Sequence, residues 1–130
     1  MRMRGAGRTS IAVALLAATA GVHAHHSHAM YDNTKNVIVK GTVKSFRFVN
    51  PHVYLFLYVR KADGIVTTYS VEASYTQNME RDGIGPTTFK PGDRVTIVVH
   101  PLRSGAAGGS YEGAIDARGH KHGRYYKNQR

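Results

Sequence analysis

Residues 53–59, VYLFLYV, constrain the fold more than any other stretch. Val53, Leu55, Leu57 and Val59 fall on one side, and Tyr54, Phe56 and Tyr58 on the other. Alternation at period two is a strand pattern, since a helix would scatter the same residues around its circumference. A strand apolar on both faces needs a core on one side and either a cover or a ligand on the other.

The neighbouring stretches repeat the pattern. In residues 37–48, VIVKGTVKSFRF, Val37, Val39 and Val43 alternate, then the phase slips and Phe46 and Phe48 carry the apolar side. Gly41 inside the run permits a bend. Such a long, bent strand suits one that serves two sides of a small barrel. Pro51 cannot donate to a ladder and ends it. Asp63-Gly64 reads as the hairpin turn after residues 52–60. Residues 65–72 form a third strand, with Ile65, Thr67, Tyr69 and Val71 on one face. Ser74 and Gln77 match a capping box, and Gly83 a helix stop, so a short helix is expected over residues 75–82. KPGD is a turn, and Val95, Ile97 and Val99 mark a fourth strand. RSGAAGGS reads as a flexible loop before a weaker fifth strand carrying Tyr111, Ile115 and Ala117.

Three strands, a helix and two strands is the order of the OB-fold, a five-stranded Greek-key barrel. The chain is therefore expected to be mainly β: a small five-stranded OB-like barrel over residues 37–117, with one short helix between strands three and four. Residues 118–130 hold five basic residues and no acid, which reads as a basic flexible tail.

The other end reads as an export signal. Arg2, Arg4 and Arg8 precede the apolar run of residues 11–20. That run is too short to span a bilayer, which takes about 20 residues. Val22 and Ala24 give a small-x-small cleavage pattern. Residues 1–24 are thus expected to be a signal peptide, and the mature protein to be periplasmic or secreted, with no transmembrane helix. Cleavage leaves 106 residues beginning at His25. Three of the 18 basic residues leave with the signal, so 15 face 8 acids, a net charge of +7. That balance favours anionic partners. Nucleic acid is not expected outside the cytoplasm. The absence of cysteine excludes thiol chemistry, thiolate metal sites and disulfides.

HHSHAMYD, KGTVKSFRFVNPH, FKPGD and VVHPLRSGAAGGS occur in this order. In this the chain resembles a family of small exported bacterial proteins known only as a domain of unknown function, over residues 25 to about 117. Phe48 stands where that family often has tryptophan. The resemblance implies export and a small β-barrel, and no activity.

Two candidate sites follow from the residues. An N-terminal His25 offers its α-amine and ring together, and one further imidazole from His26, His28, His52 or His100 completes a three-nitrogen set suited to Cu(II), which prefers tetragonal nitrogen ligation. His100 lies on the face opposite Val95, Ile97 and Val99, so it is expected to point outward where residues 25–36 enter. His52 lies beyond the other end of the first strand. The second candidate is the face of Tyr54, Phe56 and Tyr58, a platform for an anionic oligosaccharide or a partner protein if it is open, and packing if it is covered. The eight acids are scattered and the serines lack a nucleophile-elbow context. GAAGGS lacks the lysine and helix of a phosphate loop. No enzymatic activity is expected. The two functional readings are a copper-binding protein and a metal-independent binding module.

Overall fold

The computed structural model describes residues 28–129. The signal segment, its cleavage site, His25 and His26 lie outside the described residues. A 3-10 turn, His28–Met30, leads into β1 (Val37–Arg47), β2 (Tyr54–Arg60), β3 (Val66–Glu72), α1 (Thr76–Arg81), β4 (Arg94–Pro101), β5 (Gly108–Ile115), β6 (Lys121–His122) and α2 (Arg124–Lys127). The sheet runs β3-β2-β1-β4-β5-β6, and a parallel β3–β5 pairing closes its first five strands into a barrel. All other pairings are antiparallel. The expected OB-like barrel is present, with its helix between β3 and β4.

The alternation in β2 becomes the core. Val53, Leu55 and Leu57 are buried, and they pack with Val39, Val43, Val71, Ile97, Val99 and Ala114. Met79 of α1, with Ile84 and Phe89 of the following segment, completes this cluster. The phase slip in β1 is a bulge: Val43 faces Leu57 and Ser45 faces Phe56, leaving Lys44 as the extra residue. That one residue moves the inward position from Val43 to Phe46, which packs on the core edge-on to Phe89. Gly41 is required by close approach, since a Cβ there would lie 2.8 Å from the carbonyl oxygen of Tyr58.

Local expectations need three corrections. Ser74 does not cap α1. The N-cap is Tyr75, without a side-chain cap bond. Instead Asn50, which precedes Pro51 across a cis bond, accepts hydrogen bonds from the Thr76 N–H at 2.9 Å and the Thr76 hydroxyl at 3.1 Å. The glycine-rich loop is shorter than expected, because β5 begins at Gly108. Glycine is the residue that fits here, since a Cβ on Gly109 would stand 2.6 Å from the His100 carbonyl oxygen. The third correction concerns the basic tail. Lys121 and His122 pair with β5, and α2 follows. Tyr125 and Tyr126 lie over Gly113. Val98, opposite Gly113 in the ladder and facing away from the barrel interior, is fully buried.

Candidate functional site

His52 stands just before β2, and its Nδ1 lies 2.5 Å from Oε1 of Glu72 at the end of β3. The Tyr31 hydroxyl donates to the other carboxylate oxygen, Oε2, at 2.6 Å. Burial, the hydrogen bond to Glu72 and that carboxylate's charge push the Tyr31 phenol up. Burial and the same carboxylate also raise Tyr54. Both phenols therefore stay protonated, and Glu72 is an acceptor on both sides. An acceptor at Nδ1 places a proton there, so that in the neutral imidazole the lone pair is the one on Nε2, pointing outward. Nε2 makes no hydrogen bond among the described residues, and the His52 side chain is 40% exposed. A histidine held through one nitrogen by a carboxylate, with the other presented to solvent, is the usual arrangement of a metal-binding imidazole.

Tyr31 belongs to the histidine-bearing N-terminal segment and fixes where it runs. The segment lies against the end of β4. Tyr31 bridges to Leu102, the Asp32 N–H donates to the Pro101 carbonyl at 2.8 Å, and the Arg103 N–H to the Met30 carbonyl at 2.9 Å. The Arg103 Nε–H donates to the Ala29 carbonyl. The HAMYD, NPH and HPLR stretches thus meet around one end of the barrel. In sequence, His52 and His100 sit at opposite ends of the first strand. Barrel closure brings their strand ends together, because Glu72 pairs with Ser110 and Ser110 with His100. Two ladder steps of about 4.8 Å separate the backbones of Glu72 and His100.

The histidines differ in what they offer. His28 is exposed at the start of its turn. His100 lies on the outer face, as expected, but its side chain is only 14% exposed and both nitrogens face acceptors. Nδ1 is 2.7 Å from the Lys35 carbonyl, and Nε2 is 3.2 Å from Glu112, which also holds Arg124 through two hydrogen bonds. No lone pair of His100 points outward in this arrangement. Among the described residues no three histidine or acidic side chains converge on a common point.

The aromatic face divides. Tyr54 and Phe56 stack on each other, half-buried, with centroids 6.1 Å apart and planes at 16°. Tyr58 is 45% exposed, with the Lys44 ammonium 5.4 Å from its ring centroid.

Glu72 and Tyr31 were missed as site residues. The signal for Glu72 was its alternation with Val71, which sets it on the outer face beside Tyr54, its ladder partner. Nothing local marks Tyr31.

A second polar cluster holds the C-terminal arm. His122 directs Nε2 to Asp116 at 2.9 Å and Nδ1 to the Asp82 carbonyl at 3.1 Å, and Lys127 reaches Asp82 at 2.6 Å. Burial by itself would raise the Asp116 carboxyl. Hydrogen bonds from His122 and from the backbone N–H groups of His120 and Arg118 outweigh burial and hold it below its usual 3.8. A carboxyl depressed in the fold contributes stability that is fully present above its unfolded pKa and is lost as pH falls through the folded value. The arm should therefore hold at pH above about 4 and loosen below it. Near-UV circular dichroism of the tyrosines across an acid titration reads this, and Asp116→Asn should remove that contribution to the acid dependence. An unchanged titration in the variant would contradict the assignment.

A family model of unknown function, DUF6152, matches residues 12–111. The chain belongs to this family. The match takes in the N-terminal segment, β1 to β4, α1 and the first half of β5, and so every residue of the His52–Glu72–Tyr31 group. The arm of β6 and α2 lies beyond it. No curated protein and no solved structure matches the chain. Among the described residues no helix is long and apolar enough to cross a membrane.

Proposed function

We propose that the protein is exported to the periplasm or beyond, is processed to begin at His25, and is a non-catalytic binding protein that holds Cu(II) between its N-terminal histidine and His52. The observation that carries this reading is the His52 imidazole, held at Nδ1 by Glu72 and presenting Nε2 to solvent. His25 supplies an α-amine and a ring nitrogen, and His52 the third nitrogen of a T-shaped set. His25 lies six residue steps before Tyr31, a reach of about 20 Å at full extension, and Tyr31 shares the Glu72 carboxylate with His52. The choice of His52 over His100 follows from their nitrogens, because copper at His100 would have to displace Lys35 or Glu112. Ligand nitrogens must be deprotonated to bind, so affinity should fall as pH drops.

Calorimetric titration of Cu(II) into the processed protein tests the assignment. His52→Gln should weaken binding about tenfold or more, which is about 1.4 kcal/mol, and His100→Gln should change it little. Equal affinity in His52→Gln and the parent would remove His52 from the site.

A second reading rests on Tyr58, whose exposure among basic residues favours a metal-independent module for an anionic oligosaccharide or a partner protein.

A further inference from the structure

We infer that a cationic groove on the outer face of the barrel binds an acidic oligosaccharide, with Lys40, Arg60 and Arg94 holding its carboxylate or sulfate groups. The inference deepens the second reading by naming a site and a ligand charge, and it stands apart from the copper site. The groove has a volume of about 540 Å³, within the roughly 300–1,000 Å³ typical of small-ligand sites. β1 contributes Lys40 and Thr42, β2 Tyr58 and Arg60, and β4 Arg94. Thr42 lies opposite Tyr58 on one side and Arg94 on the other, so these side chains share the face turned away from Val39 and Val43.

The charge in the groove is uncompensated. Among the described residues no ion pair engages Lys40, Arg60 or Arg94. Arg60 donates one Nη1–H to the Gly64 carbonyl at 3.0 Å. The acid in the wall, Asp116, has a side chain only 1% exposed and is already taken by His122 and two backbone N–H groups. Lys44, over the Tyr58 ring, adds a further cation at the rim.

The chemistry points to an acidic glycan. A guanidinium fork matches a planar carboxylate or a sulfate edge through paired hydrogen bonds, and the hydroxyls of Thr42 and Tyr58 suit sugar hydroxyls. Nucleic acid is disfavoured because Lys44 occupies a face of the Tyr58 ring, which leaves less of it as a stacking surface. The groove lies at the far end of β2 from His52. Eight residues at about 3.3 Å each set Arg60 some 26 Å along the strand from it.

The test is calorimetry of the processed, full-length protein in chelator. The titrants are a hexagalacturonate, a sulfated heparin hexasaccharide, neutral maltohexaose and inorganic phosphate. At least one acidic hexasaccharide should bind, maltohexaose should not, and phosphate should bind far more weakly. The double variant Lys40→Gln, Arg94→Gln should lose about tenfold or more in affinity, while Arg47→Gln, outside the groove, should bind like the parent. Failure of both acidic hexasaccharides to bind overturns the inference. So does unchanged affinity in the double variant, or phosphate binding as tightly as the glycan. Loss of glycan binding in Tyr54→Ala with none in the double variant would move the ligand to the other aromatic end, overturning the groove and keeping the second reading.

Discussion

Leu57→Ala should lower the free energy of unfolding by about 2–5 kcal/mol, the range for large-to-small changes at sites that cannot collapse. Leu57 is fully buried in the middle of β2. It pairs with Val43 of β1 on one side and Tyr69 of β3 on the other. Neither neighbour can move inward without breaking its ladder, so the cavity stays open. Tyr58 is adjacent in sequence and lies on the opposite face at 45% exposure. Tyr58→Ala should cost under about 1 kcal/mol, as surface substitutions do. Urea denaturation of both variants measures the contrast. Equal losses would mean that the two faces of β2 are covered alike, and would remove the open surface on which the groove depends.

Much of the barrel was legible because its signals are local. Alternation gave the inward faces of β2, β3 and β4, the phase slip in β1 marked the bulge at Lys44, and Asp63-Gly64 marked the β2–β3 hairpin. The arm after residue 117 was not legible, for a physical reason. Its packing uses no apolar period. It rests on Tyr125 and Tyr126 lying over Gly113, on His122 joined to Asp116, and on Gly123 at a φ of 90° against β5. Each partner lies elsewhere in the chain, so composition alone reads as a solvated tail. The start of β5 was hidden in the same way, because glycines that signal a loop are here what lets two strands touch.

The candidate site was half legible. The spacing of His25, His26 and His28 and the position of His52 drew attention to imidazole chemistry. Which imidazole can serve is decided by hydrogen bonds that span the chain. His52 and Glu72 are twenty positions apart, and Tyr31 lies 41 positions before Glu72. In sequence His100 stood nearer the entry of residues 25–36 than His52 did, and the order reverses because Lys35 and Glu112 occupy its nitrogens.

The second large effect concerns the N-terminus, and it tests the proposed copper site most directly. An α-amine and its own imidazole chelate together only when histidine is the first residue. Acetylating the α-amine of His25 keeps every histidine but removes the amine as a ligand. Calorimetric titration of Cu(II) into the processed protein, a semisynthetic protein carrying the acetylated amine and a His26→Gln, His28→Gln variant makes the comparison. The acetylated protein should bind about a hundredfold more weakly, about 2.7 kcal/mol, and the double variant within a few-fold of the parent. Binding by the acetylated protein as tight as by the processed one would make the histidines a nonspecific cluster and leave the protein a metal-independent binding module.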